Sequence, residues 1–289
     1  MTGTRDTDAK TTGIACMVLG IASLSVMDAL GKRVAAHYSV FEMLAIRSTV
    51  AIILLVALLP FLGGLQMLRT QQPAGHALRA GFGLVAFVCF YAALRHLPLA
   101  DAVAVAFGSP FLVTALARFV LKEAVGLRQW IAIVVGFLGM VIIVRPSGAS
   151  LRPAALLVLV SGLAYAFMMI LARWMTRPER PHESTVSFVF YMLAGQAAAG
   201  WLVAASTWRT PDARAFAEMA AMGVFGILGN YGLAQAFRMA PVATVAPFEY
   251  TGIVWAVILG AAFFGDVPPP SFWAGTAIVV WAGLYTVRS

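Results

Sequence analysis

Charge is scarce in this 289-residue chain, where Asp, Glu, Lys and Arg together supply 11% of the residues, against about 25% in an ordinary soluble domain. A water-facing exterior cannot be assembled from so little polarity, which excludes a soluble globular fold. Cysteine is nearly missing as well. Cys16 and Cys89 both fall in apolar stretches and no CxxC occurs, so neither a disulfide framework nor a cysteine-based zinc site is available. There is no HExxH, no GxSxG and no GxxxxGK[ST], so metalloprotease, serine hydrolase and direct ATP-driven transport all lack their parts. No arginine-rich run or aromatic-interleaved basic patch accompanies the net charge of +8, which argues against nucleic acid as a partner. No metal or cofactor is expected.

Apolar length is what the chain has in plenty: 61% of it is hydrophobic and its mean hydropathy is +0.89. A bilayer core of about 30 Å needs about 20 apolar residues per helix. Ten such stretches lie near 12–30, 40–62, 77–95, 99–121, 127–144, 153–173, 185–206, 216–237, 241–264 and 270–287. Links as short as His96–Leu97–Pro98 and Met239–Ala240–Pro241 must join antiparallel neighbours. The polar segment Met1–Lys10 precedes a run with no convincing cleavage site, so that run reads as a retained first span rather than a removed signal peptide.

Lys and Arg counts set the expected orientation. With both termini cytoplasmic, the inner side carries twelve of them, including Arg5, Lys10, Arg79, Arg118, Lys122, Arg173 and Arg238; seven, including Lys32, Arg33, Arg145 and Arg152, fall outside. Arg47 is left within a span.

A displacement of 143 residues superposes scarce residue types: Arg95 on Arg238, Pro98 on Pro241, Trp130 on Trp273, Arg145 on Arg288, Gly83 on Gly226 and Glu123 on Asp266. The expected domains are therefore two related five-helix halves, 1–148 and 149–289. Five is odd, so the second half enters the membrane inverted relative to the first. The fold class is all-α and integral to the membrane, with ten transmembrane helices in two inverted repeats around a central cavity. That is the architecture of many secondary transporters; duplication retained for folding alone is the alternative.

Ionisable residues within spans are functional candidates. From helical rise, Asp28 lies roughly 24 Å from the inner end of the first span and Arg47 roughly 10 Å from the outer end of the second. Similar depth suggests a structural or gating ion pair. Glu249 follows Pro247 by two residues and suits a substrate amine, a coupled proton or a neighbouring helix. Glu42 is expected at the interface. Aromatics and amides form the second constellation: Phe87 and Tyr91 at i and i+4, Asn230 and Tyr250 at the shifted positions of Phe87 and Phe107, with Tyr165 and Tyr231 beside them. A cavity so lined fits an amphipathic solute, though each aromatic is equally a packing residue. Helix breaks are expected at Gly108, Pro110 and Pro247.

The run Leu94-Arg95-His96-Leu97-Pro98-Leu99-Ala100-Asp101-Ala102, then Leu121-Lys122-Glu123 and Trp130, resembles the drug/metabolite transporter superfamily, in particular the EamA-type ten-helix exporters. In the second half Phe237 to Thr251, Trp255, Gly265-Asp266 and Trp273 carry the same likeness, as does Arg47. The departure is Asp266 followed by Pro268-Pro269-Pro270, where Glu is more usual. The resemblance implies a monomeric carrier in the inner membrane, exporting amino acids, aromatic ones included, or related metabolites; it leaves substrate open. Alternatives are a multidrug exporter of cationic compounds, a channel, and a membrane enzyme built on His96 and Asp101, whose H-x4-D spacing the second repeat does not share.

Overall fold

The computed structural model describes residues 2–122, 124–144, 153–206 and 208–287, leaving undescribed the side chains of 2–10, 144, 153, 242–243 and 286–287. Glu123, Arg145, Arg152 and Arg288 lie outside the described residues. The described residues form α1 (Thr2–Ala35), α2 (Val40–Leu62), a 3-10 turn Leu65–Leu68, α3 (Pro73–Leu94), α4 (Leu99–Ala106), α5 (Ser109–Val120) and α6 (Leu127–Val144). They continue with α7 (Pro153–Met175), α8 (Thr185–Ala204), α9 (Ala213–Met239), α10 (Val242–Val245), a 3-10 turn Ala246–Tyr250, α11 (Thr251–Phe264) and α12 (Pro270–Val287). Among the described residues seven spans are long and apolar enough to cross a membrane, α4 with α5 counting as one and the Ala246–Tyr250 turn with α11 as another. The chain is an all-α integral membrane protein whose ten helical segments form two groups of five.

Local chemistry fixes the ends of these helices. Ser39 caps α2 in a capping box with Glu42, and Ser184 and Asp212 cap α8 and α9 by accepting from Ser187 N–H and Ala215 N–H. Each satisfies amides that the first turn leaves without partners. Gly63 (φ 109°) and Gly265 (φ 69°) end α2 and α11 in the left-handed region, where a Cβ is disfavoured.

The packing follows a twofold exchange. α1 packs against α9 as α3 does against α7, α2 against α9 as α8 does against α3, and α1 against α11 as α7 does against α5. α2 meets α8, α4 meets α11 and α6 meets α12. Swapping the first five segments for the second five maps every one of these contacts onto itself or onto another. Small residues make the approach possible, as bilayers require when lipid offers no hydrophobic drive between helices. A Cβ on Gly232 would stand 2.8 Å from Gly20 Cα, and one on Gly275 2.6 Å from Gly139 O. The outward stripes are apolar, with Leu19, Ile53, Phe61, Leu202 and Trp281 all exposed, which is a surface for lipid tails rather than water.

Two ends of the bundle can be told apart. α1 starts beside Ala240, and Gly75 lies against Met175; this end also carries the α2–α3, α5–α6 and α7–α8 connections, and we call it the amino-terminal face. The opposite face carries the α1–α2, α3–α4, α8–α9 and α11–α12 connections.

Candidate substrate-transport site

Behind the core of α1, α2 and α3 sits a polar cluster. Tyr91 Oη donates to Asp28 Oδ1 at 2.8 Å, and Arg47 Nη2 donates to Gln196 Oε1 of α8. The Arg47 guanidinium carbon lies 4.2 Å from the Phe87 ring centroid, and Phe87 and Tyr91 are 4.3 Å apart, centroid to centroid. Gly31 makes room for Tyr91, since a Cβ there would lie 2.0 Å from the ring. Asp28 and Arg47, expected as a structural or gating ion pair, each hydrogen-bond a neutral partner here, Tyr91 and Gln196. Arg47 and Tyr91 are buried, and dividing the charges among Tyr91, Gln196 and the Phe87 face lets both groups remain in the bilayer interior. Tyr91 therefore supports the cluster and lines no open space.

An open cavity of about 570 Å³ lies between α3, α5, α7 and the start of α8, with Arg79, Pro110, Thr114, Tyr165, Glu183 and Phe188 on its wall. Walls from both halves therefore meet in it, and it opens on the amino-terminal face. Of the sequence breaks, Pro110 lies on its wall. Gly108 ends one helical run and Pro110 lies in the first turn of α5, while Pro247 lies in the 3-10 turn that carries Glu249 and Tyr250. Irregular backbone at this depth is tolerated where it faces a cavity. Phe107 and Tyr250, equivalent across the repeat, meet with centroids 5.4 Å apart.

Two residues expected in one constellation face different ways. Asn230 donates its side-chain amide to Gly226 O at 2.7 Å and follows the buried Gly226 by one turn. Tyr231 is 57% exposed beside exposed Leu228 and Val224, on the lipid-facing stripe. Consecutive residues diverge by about 100° on a helix, so Asn230 and Tyr231 point in different directions.

The opposite face carries a smaller pocket of about 430 Å³ beside the α1–α2 connection and two ion pairs between the halves. Lys32 Nζ lies 2.7 Å from Asp266 Oδ2 and 4.4 Å from the Phe264 ring centroid; Arg33 Nη2 lies 3.0 Å from Glu218 Oε1. Each ion pair joins α1 of one half to the other half.

Two buried carboxylates also join the halves, one at each face, and sequence reasoning missed the role of both. Glu42, expected at the interface, is 1% exposed; it accepts from Ser39 N–H at 2.8 Å and from Arg209 N–H. Glu183 accepts from Thr70 Oγ1 at 2.8 Å, Gln71 N–H at 2.9 Å, Gln72 N–H at 3.2 Å and Ser187 Oγ at 3.1 Å, with His76 Nε2 at 3.1 Å. Burial alone raises its pKa, but the hydrogen bonds from His76, Gln71, Thr70 and Ser187 outweigh that and hold it below its usual value. Arg79 was also missed, having been read only as a topology marker. Its Nη1 donates to Phe188 O at 2.7 Å.

A helical membrane bundle of two exchangeable halves is the architecture of many transporters. The EamA-like transporter family model matches it twice, over residues 11–145 and 152–288, and the chain belongs to that family. It is 27% identical to an S-adenosylmethionine uptake transporter of Rickettsia felis, covering 96% of this chain and 93% of that one. It is 30% identical to a riboflavin transporter of Rhizobium johnstonii (80% and 76%) and 30% identical to a pseudopaline exporter of Pseudomonas aeruginosa (98% and 98%). A crystal structure 18% identical to it superposes with a TM-score of 0.64 over 94% of this chain and 96% of that one, which shows the shared fold.

Proposed function

We propose that the chain is a secondary transporter exporting small amphipathic metabolites, amino acids with aromatic side chains among them, across a bacterial inner membrane. The halves 1–148 and 149–289 rock about the cavity to expose it alternately at each face. One observation carries this reading: the cavity between α3, α5, α7 and α8 opens on the amino-terminal face, while Lys32–Asp266 and Arg33–Glu218 bridge the halves on the other. The excess of Lys and Arg supports a cytoplasmic amino-terminal face, so the conformation is inward-open. Phe107, Tyr165, Asn230 and Tyr250 supply the aromatic and amide surface of an amphipathic site. Relatives carrying S-adenosylmethionine and riboflavin support a small metabolite, and the exporter among them supports outward movement.

Counterflow in proteoliposomes tests this. Vesicles loaded with each of a panel of amino acids, nucleosides and cationic dyes are assayed for accelerated exchange of the labelled counterpart. Exchange of amino acids, saturable and absent from empty vesicles, is the expected result. Exchange of dyes without any amino acid replaces the proposal with a multidrug carrier, and conductance above carrier turnover replaces it with a channel.

A further inference from the structure

The cavity between α3, α5, α7 and α8 has an uneven charge. Its ionisable wall residues are Arg79, Arg173 and Glu183, two cations against one carboxylate. That carboxylate is already occupied by Thr70, Gln71, Gln72, Ser187 and His76. Arg79 lies roughly 9 Å from the start of α3 and is 8% exposed. Its Nη1 donates to Phe188 O at 2.7 Å and its guanidinium carbon lies 5.1 Å from the Phe188 ring centroid, so α8 holds the side chain in place. Its buried Nε has no partner, and no carboxylate pairs with it among the described residues. A guanidinium carries five N–H donors in a fixed fork that matches the oxygens of a carboxylate or phosphate. A buried cation without a counter-charge is costly at membrane depth, and an anion entering the cavity offsets that cost.

The same wall offers apolar surface, with Val113 of α5, Tyr165 and Met169 of α7 and Phe188 of α8. Its volume of about 570 Å³ is that of a small-molecule site. We propose that the cavity is an anion site in which Arg79 takes the carboxylate or phosphate of an amphipathic ligand, whose apolar body lies against Tyr165 and Met169. Arg173, exposed in the last turn of α7, adds positive potential at the same wall and draws anions towards it. Arg79 belongs to the first half and Tyr165 and Met169 to the second. A ligand touching all three spans the halves, so its occupancy is coupled to their relative position. The anion site rests on the transport reading and narrows it to solutes with a negative head group, which sets aside purely cationic compounds. A transported solute and a lipid phosphate both offer this chemistry, and the two are separated below.

The test is isothermal titration of the purified full-length chain in dodecyl maltoside, a detergent without phosphate, with three probes that share one phenyl body. These are 3-phenylpropionate (anionic), its methyl ester (neutral) and 2-phenylethylamine (cationic). The wild type is expected to bind the acid at least about tenfold tighter than the ester or the amine, the factor that one charge-assisted hydrogen bond contributes. Arg79→Gln is expected to level the three probes, and Arg79→Lys, which keeps the charge without the fork, to retain part of the preference. Arg95→Gln, which takes an exposed arginine from the opposite face, keeps it whole. Equal binding of acid and ester by the wild type overturns the anion site, as does a preference undiminished in Arg79→Gln. Should Arg79→Gln fail to fold by its melting curve, a preference in Arg79→Lys equal to the wild type's overturns it instead. Counterflow in phosphatidylcholine vesicles separates the sources. Counterflow of the acid, undisturbed by added phosphatidylglycerol, assigns the anion to a solute. Displacement of the acid by phosphatidylglycerol in the titration, with no counterflow of any probe, assigns it to a lipid, keeping the anion site and overturning transport through it. Counterflow of ester or amine without the acid overturns the anion site and leaves the transporter intact.

Discussion

At the scale of single residues, burial decides which charges are structural. Glu183 is enclosed and receives hydrogen bonds from both the α2–α3 connection and α8. Removing one partner of a buried charged network costs about 3–5 kcal/mol, so Glu183→Ala should unfold far more readily in detergent, by a melting curve on intrinsic fluorescence. Its depressed pKa gives the pH dependence. A group whose folded value lies below its unfolded one stabilises the protein above the unfolded pKa and loses that contribution as pH falls towards the folded value. Melting temperature should therefore fall in acid, beginning near the ordinary carboxylate range, and fall less in Glu183→Gln; parallel acid profiles would discount the carboxylate. Arg47 is the second residue-scale case. Lys keeps the charge but cannot both bond Gln196 and lie flat over Phe87, so Arg47→Lys as well as Arg47→Ala should slow counterflow several-fold at unchanged expression. Wild-type rates in both would take the cluster out of the mechanism.

At the scale of helices, close approach is the controlling variable, and two glycines separate it from helix propensity. A Cβ on Gly223 of α9 would stand 2.5 Å from the Arg47 carbonyl oxygen of α2, whereas one on Gly81 of α3 meets nothing within 4 Å. Replacing helical Gly by Ala gains up to about 1 kcal/mol of propensity, while overpacking costs about 1–3 kcal/mol. Gly81→Ala should thus be neutral or stabilising. Gly223→Ala should lower the melting temperature and, by displacing the turn that bears Arg47, also the transport rate; equal melting of the two variants would deny the contact. Sequence made much of this scale legible. The ten apolar runs match the helical segments to within a few residues at most ends, and Gly108, Pro110 and Pro247 mark where regular helix stops. What it hid were partners across the halves. A lone Glu183 in a polar connection looks solvated until Thr70 and Gln71 are folded onto it, and an arginine at a span end counts as topology until Arg79 is seen on a cavity wall. Adjacency in sequence also misleads, since Asn230 and Tyr231 point in different directions on one helix.

At the scale of the molecule, the contacts between the halves divide by symmetry. The carboxylate clamps occur at both faces at once, Glu42 at one and Glu183 at the other, so they hold the halves together whichever face is open. The α1 ion pairs differ. Lys32 meets Asp266 and Arg33 meets Glu218 across the halves, near the ends of the helices rather than within the enclosed clamps. Partly solvated pairs that bridge the halves are weak enough to break when the bundle switches. The Lys32 and Asp266 side chains are 13% and 25% exposed, and partly solvated pairs contribute about 1 kcal/mol or less, so the latch yields where the buried clamps do not. Lys32→Ala should therefore shift the population towards a state open on the opposite face, by a few-fold for about 1 kcal/mol. In a background with Cys16 and Cys89 replaced, Phe107→Cys beside Tyr250 reports this as the rate of labelling by a membrane-impermeant thiol reagent. Labelling from the opposite face should be slow in the latched protein and several-fold faster once Lys32→Ala is added, with Lys32→Arg restoring the slow rate. An unchanged rate would assign closure of that face to packing of α1 against α11 rather than to the ion pairs.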